Sequence, residues 1–185
     1  NNSLFTVRQI LEQVLPDTCH LATLSGPTFA FEVAREVPSA IVAAAETNTQ
    51  ADRIQKIFSC PYLKVFTSDD PIGVELGGAL KNVIAIATGI ADGLQVGHNA
   101  RAALITRGLV EITRIGMALG AKSETFSGLS GLGDLVLTCT GELSRNRKVG
   151  LRIGQGENIE NIIDNKKFIA EGVLTVKSAY SLKSK

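Results

Sequence analysis

Residues Ile72 to Ile90 read Ile-Gly-Val-Glu-Leu-Gly-Gly-Ala-Leu-Lys-Asn-Val-Ile-Ala-Ile-Ala-Thr-Gly-Ile, and Lys81 is the only ionisable side chain between Glu75 and Asp92. The run is too long for a strand and no proline breaks it, so it reads as a helix from Gly73 to Ala91. Helical side chains lean back over positions i−3 and i−4. The Lys81 amine is therefore expected over Gly77 and Gly78, a notch without side chains. Lost hydration favours the neutral amine of a lysine, and an amine that changes charge readily can take and return a proton. The plainer alternative is a lysine that snorkels to water along a stripe with Thr88 and Asp92. The interrupting Glu75, Lys81 and Asn82, with several glycines, make this a buried core helix rather than a membrane span.

Upstream of residue 72 helices and strands alternate. Val7 to Leu15 reads as a helix ended by Pro16, and Leu21 to Leu24 as a strand running into Ser25-Gly26-Pro27. Phe29 to Arg35 reads as a helix, Ser39 to Ala44 as a buried strand, Gln50 to Phe58 as a helix and Leu63 to Thr67 as a strand stopped by Asp69-Asp70-Pro71. This alternation implies a parallel or mixed α/β sheet. Three strands are too few for a complete doubly wound domain, so residues 1–71 read as the tail of one. Residues 72–185 are helical almost throughout. A helix is expected from Asn99, as N-cap, to Leu119, stopped by Gly120. The glycine-rich stretch Ser127 to Asp134 follows, then a basic helix from Glu142 to Arg152, and a last helix from Val173 to Leu182.

The chain has 185 residues, 44% hydrophobic and 20% charged, with a net charge of +1. It can bury a core, and its charge gives no case for nucleic acid or an anionic membrane. It starts at Asn1 without methionine and without a basic-then-apolar leader, and reads as a piece of something longer. Cys19, Cys60 and Cys139 are scattered and form no CxxC, which argues against a disulfide framework or a zinc site. Reduced cysteines in a cytoplasmic protein are expected, with His20 and His98 as ordinary polar residues.

Besides the Lys81 helix, three segments bear chemistry. Ser25-Gly26-Pro27-Thr28-Phe29-Ala30 leaves a strand and opens a helix, where backbone N–H groups can hold an anion; an ordinary turn with proline at a helix start is the alternative. Gly131-Leu132-Gly133-Asp134 places a carboxylate after closely approachable backbone. Asp134 either bonds a substrate hydroxyl or the Lys81 amine, or caps local N–H groups. Arg145, Lys148 and Arg152 share a helix face beginning at Ser144-Arg145-Asn146. A guanidinium fork with a hydroxyl and an amide suits a phosphate, whereas a solvated basic face is the alternative. No GxGxxG occurs, because Gly128, Gly131 and Gly133 have the wrong spacing.

Taken in order, Ser25-Gly26-Pro27-Thr28-Phe29-Ala30-Phe31-Glu32-Val33-Ala34, Gly78-Ala79-Leu80-Lys81-Asn82-Val83-Ile84-Ala85-Ile86, Gly128-Leu129-Ser130-Gly131-Leu132-Gly133-Asp134-Leu135 and Ser144-Arg145-Asn146 resemble the bacterial NAD(P)-dependent glycerol-3-phosphate dehydrogenases. The resemblance runs from about Leu21 to about Lys177. It implies a Rossmann-like α/β tail followed by an all-α substrate domain like the C-terminal domain of 6-phosphogluconate dehydrogenase. The division is residues 1–71, the C-terminal part of the dinucleotide-binding domain, and residues 72–185, the substrate domain, incomplete at its C-terminus.

The resemblance implies Lys81 as catalytic proton donor and acceptor that also contacts substrate. It implies Gly26, Thr28, Asp134, Ser144, Arg145 and Asn146 as substrate-binding, and Ala30, Arg145, Ile169 and Glu171 as contacts of NAD or NADP. It further implies interconversion of sn-glycerol 3-phosphate and dihydroxyacetone phosphate, a place in glycerophospholipid metabolism and phospholipid biosynthesis, a homodimer and a cytoplasmic location. The family's opening glycine-rich fingerprint and a second substrate lysine are not in this sequence, so the 185 residues alone are expected to be inactive. Two other readings stay open: a different two-domain hydroxy-acid or sugar-phosphate dehydrogenase, and a catalytically silent helical fragment that dimerises.

Overall fold

The computed structural model describes residues 5–163 and 171–182. Helix α1, Val7–Val14, opens with a reciprocal cap: the Thr6 hydroxyl accepts from Gln9 N and the Gln9 side chain accepts from Thr6 N. It ends where Leu15, ahead of Pro16, turns extended. Strand β1, Ala22–Ser25, runs into the Gly26 turn and a single helical turn, α2, Ala30–Val33. The expected helix to Arg35 is cut short, and Glu36 adopts a left-handed φ of 60°. Strand β2, Ser39–Ala45, helix α3, Asn48–Phe58, and strand β3, Leu63–Ser68, complete the α/β part.

The sheet has the order β1-β2-β3 and is mixed. The β2-α3-β3 unit is parallel, with Ser39 opposite Leu63, and β1 is antiparallel to β2, with Ser25 opposite Val42. Ala43, Ala44, Ala45, Ala51 and Val65 are fully buried, so small side chains let α3 lie close on the sheet.

Helix α4, Pro71–Gly93, starts with proline in its first turn and with Asp70 as N-cap. Asp70 is almost fully buried and does more than cap. One oxygen accepts from Gly73 N at 2.9 Å, and the other from Lys122 N at 2.9 Å and Thr125 Oγ1 at 2.6 Å. Helix α5, His98–Ala118, begins after Gly97, which has φ +90°, so Asn99 lies inside the helix and is not its cap. Gly120 ends it with φ +93° while Ala121 N donates to Gly116 O, the pattern that satisfies terminal carbonyls.

After α6, Ser123–Ser127, the glycine-rich stretch is no open loop. Residues Leu129–Gly133 form a π-turn that leads straight into α7, Asp134–Thr140. Helix α8, Arg145–Gly154, starts three residues later than expected because Ser144, not Glu142, supplies the cap. Helices α9, Ile159–Ile163, and α10, Glu171–Leu182, follow.

Helix α4 is long and apolar enough to cross a membrane, with mean hydropathy 1.3, but half of that window is buried inside the fold. Its largest neighbours are α5, α7, α8, α10 and β1. Leu76, Leu80 and Ala85 join Ile112, Phe126, Leu135 and Cys139 in the main core. Against α8 the contact is backbone on backbone: a Cβ at Gly89 would come within 2.1 Å of Arg147 O, and one at Gly150 within 2.0 Å of Ile86 O.

Candidate active site

Lys81 lies midway along α4, but the glycine notch beneath it is not empty. A Cβ at Gly77 would sit 2.6 Å from Ser130 O, and one at Gly78 2.7 Å from Ser25 Oγ. The two glycines admit neighbouring chain: the π-turn over Gly77 and the end of β1 over Gly78. Gly131 closes the π-turn for a related reason, since a Cβ there would overlap the backbone of Phe126. The Lys81 amine instead meets Asp134 Oδ2 in an ion pair.

Asp134 is 1% exposed, and its Oδ1 lies 3.3 Å from Thr138 Oγ1. Burial pushes the Asp134 carboxyl above its ordinary value, and Lys81, Thr138 and the Ser25 hydroxyl pull against that rise. Of the two readings of Asp134 in the sequence, the lysine partner is the one formed.

The strand-end turn adjoins this pair. Gly26 has φ +150°, and a Cβ there would come within 2.9 Å of Ile41 Cα, so only glycine fits. Thr28 N donates to Gly26 O at 2.8 Å, and Ala30 is exposed at the start of α2. The first turn of α8 reaches the same region through Asn82, the residue after Lys81. Asn146 Nδ2 donates to Asn82 Oδ1 at 2.9 Å, and Asn146 Oδ1 accepts from Gly172 N at 2.9 Å. The buried Asn146 amide thus ties α8 to α4 and to the start of α10. Ser144 Oγ accepts from Arg147 N at 3.2 Å. The N–H groups of Arg145 and Asn146 precede any helical carbonyl that could accept them, which leaves an anion-ready helix start.

Arg145 is exposed and pairs with the exposed Glu171 at 2.6 Å. Arg152 pairs with Glu157, which leaves Lys148 without an ion pair among the described residues. The basic face is therefore partly neutralised. Ile169 lies outside the described residues. The buried Cys139 thiol is pushed up to about 11 by desolvation, an inert group at neutral pH.

Sequence reasoning missed a cluster at the far end of α4. Asp92 accepts from both Arg101 and Arg147. The only signal was that Arg147 lies off the face shared by Arg145, Lys148 and Arg152.

A buried lysine–carboxylate pair, a strand-end glycine turn and the N-terminus of α8 thus lie in one region of the fold. The chain belongs to the NAD-dependent glycerol-3-phosphate dehydrogenase family: residues 70–185 match the model of its C-terminus and residues 1–51 that of its N-terminus. It is 58% identical over 184 residues, 98% of the chain, to a glycerol-3-phosphate dehydrogenase (NAD(P)+) of Syntrophotalea carbinolica, of which it covers 55%. It is 56% identical over 186 residues to one from a Geobacter species, covering 56% of that protein. The chain thus spans about half the length of the curated relatives it matches. The crystal structure of a glycerol-3-phosphate dehydrogenase from Coxiella burnetii superposes with a TM-score of 0.85 at 44% identity, over 88% of this chain and 50% of that one. One from Plasmodium falciparum gives 0.86 at 25% identity, over 96% and 50%. The fold is a Rossmann-like piece with a small sheet, followed by a mostly helical C-terminal part.

Proposed function

We propose that the full-length protein carrying this chain interconverts sn-glycerol 3-phosphate and dihydroxyacetone phosphate with NAD or NADP. The observation that carries this reading is the Lys81–Asp134 pair, set beside the Gly26 turn and the start of α8. In the direction of ketone reduction, the Lys81 ammonium faces the oxygen that gains charge, stabilises it and delivers a proton. In reverse the neutral amine removes the hydroxyl proton. Asp134 orients the amine, and the Thr138 hydroxyl anchors the Asp134 main chain.

Arg145, Ser144 and the N–H groups of the α8 start bind the phosphate, so that binding energy remote from the reacting carbon positions it. Gly26 and Thr28 line the strand-end side. Asn146 is the substrate-binding residue whose side chain is most engaged within the protein, so its share falls to its backbone N–H. The dinucleotide supplies or accepts the hydride. The exposed Ala30 and the solvent-facing Arg145–Glu171 pair suit contacts at its rim, with Ile169 a further contact, while the glycine-rich phosphate cradle is not in this sequence.

Residues 1–71 then act as the end of the dinucleotide-binding domain and residues 72–185 as the substrate domain of a cytoplasmic homodimer. Exposed Leu104, Val110 and Met117 on α5 support a helix-mediated contact between copies. The test is NADH or NADPH oxidation by the full-length protein with dihydroxyacetone phosphate. Turnover that free glycerol 3-phosphate inhibits supports the reading. Turnover only with an unphosphorylated hydroxy acid overturns it. The 185-residue chain, assayed alongside, is expected to be silent.

A further inference from the structure

The Asp92 cluster stands apart from the residues assigned above. Arg147 Nε and Nη2 lie 2.9 and 2.6 Å from Asp92 Oδ2, and Arg101 Nη1 lies 3.1 and 3.0 Å from the two carboxylate oxygens. All three side chains are mostly buried. They join the C-terminal end of α4, the first turn of α5 and the first turn of α8. Two guanidinium groups face one carboxylate, so the cluster holds one positive charge in excess.

Arg147 is also held by its main chain. Its N–H donates to Ser144 Oγ, and its carbonyl lies against Gly89. It stands two residues from Arg145, whose side chain pairs with the exposed Glu171.

The α4–α8 contact explains why such a clamp is needed. Gly89, Gly93, Gly150 and Gly154 meet backbone to backbone. A seam of glycines brings two helices close with few side-chain knobs to set their axial register, and the Asn146–Asn82 bond holds only the start of α8. A directional, charge-assisted fork sets that register. We propose that Arg147, gripped by Asp92, is a positioning residue: it fixes the register of α8 on α4 and thereby the placement of the Ser144–Asn146 turn relative to Lys81. The inference deepens the proposed function and rests on that reading of the turn as the phosphate site.

The test uses the full-length protein and two substrates, dihydroxyacetone phosphate and unphosphorylated dihydroxyacetone. Arg147→Gln and Asp92→Asn are each expected to lower the ratio of kcat/KM, phosphorylated over unphosphorylated, on the order of tenfold and chiefly through KM, as expected for a misplaced binding turn. Arg147→Lys, which keeps the charge and one hydrogen bond, is expected to recover part of the loss. A merely structural role lowers the amount of active protein and scales both substrates equally, so an unchanged ratio in the folded variants overturns the proposal. If Arg147→Gln does not fold, Asp92→Asn and Arg147→Lys decide it, because the ratio is independent of the active fraction. Arg145→Ala separates the two levels. If it leaves the ratio unchanged, the phosphate reading itself fails. If it lowers the ratio and the Arg147 and Asp92 variants do not, only the clamp is wrong.

Discussion

Two ion pairs flank the candidate site and are built in opposite ways. In Lys81–Asp134 the side chains are 19% and 2% exposed, and the Thr138 hydroxyl, which donates to the Asp134 carbonyl at 2.6 Å, lies 3.3 Å from the carboxylate. In Arg145–Glu171 they are 55% and 52% exposed, and the contact spans the first turns of two helices. A pair of the first kind is fixed by its surroundings, because removing either partner strands a desolvated group. A pair of the second kind is worth little, about 0–1 kcal/mol, and exchanges readily. The contrast fits the proposed division of labour: a proton-transfer group must stay in one geometry, whereas an arginine that takes a phosphate must be able to release its resting partner.

Lys81→Ala in the full-length protein removes the buried pair and is expected to have the largest effect. Loss of a positioned acid–base group is expected to lower kcat by about 10²-fold or more. Near-normal steady-state turnover of correctly folded variant would remove Lys81 from the chemistry. Next comes Arg145→Ala, for which loss of a charge-assisted contact of roughly 1.5–3 kcal/mol predicts about a ten- to hundredfold rise in KM for dihydroxyacetone phosphate. Unphosphorylated dihydroxyacetone should be affected far less, and parallel kinetics on both substrates checks this. Gly131→Ala probes the framework behind the buried pair only. Its new Cβ would lie 2.1 Å from Phe126 O, and overpacking of this kind costs about 1–3 kcal/mol. Thermal unfolding should show a lower Tm, with kcat reduced and the Arg145-dependent substrate preference retained.

The smallest expected effect is on pH dependence. The folded Asp134 carboxyl is raised above its ordinary 3.8 by burial. The folded state therefore binds this proton more readily than the unfolded one. The stabilisation from this group is complete below pH 3.8 and is lost as pH rises through the raised folded value. Denaturant titrations of Asp134→Asn should lack that decline, and a wild-type curve parallel to the variant's throughout would contradict the assignment.

Much of this was legible in the sequence for identifiable reasons. A lone charge in an apolar helix marks Lys81 because nothing else in the run competes for attention. Ser144 is a strong N-cap type, so the start of α8 could be placed within a few residues, although Glu142 drew the boundary too early. The α/β alternation showed through its short apolar strands, but the direction of β1 did not, because a strand's pattern is the same whichever way its neighbour runs. The glycine-rich stretch did not announce its π-turn, since that shape comes from Gly131 fitting under Phe126 and not from local preference. The Asp92 cluster left almost no trace for a simpler reason: Arg147 is 55 positions away in sequence, and only the packing of α8 on α4 brings them together.

Asp70 has a consequence for how this part of the chain assembles. It joins the beginning of α4 to Lys122 and Thr125, 52 and 55 residues onward. The entropy of closing such a loop grows only slowly with its length, so one buried carboxylate can hold both ends of the interval that contains Lys81. The segment leading into Asp134 leaves from the same fastening, so the lysine and its carboxylate are expected to open and close as one unit. Opening at Asp70 would release the partners together, and amide exchange in α4, α6 and α7 should then follow one common opening free energy.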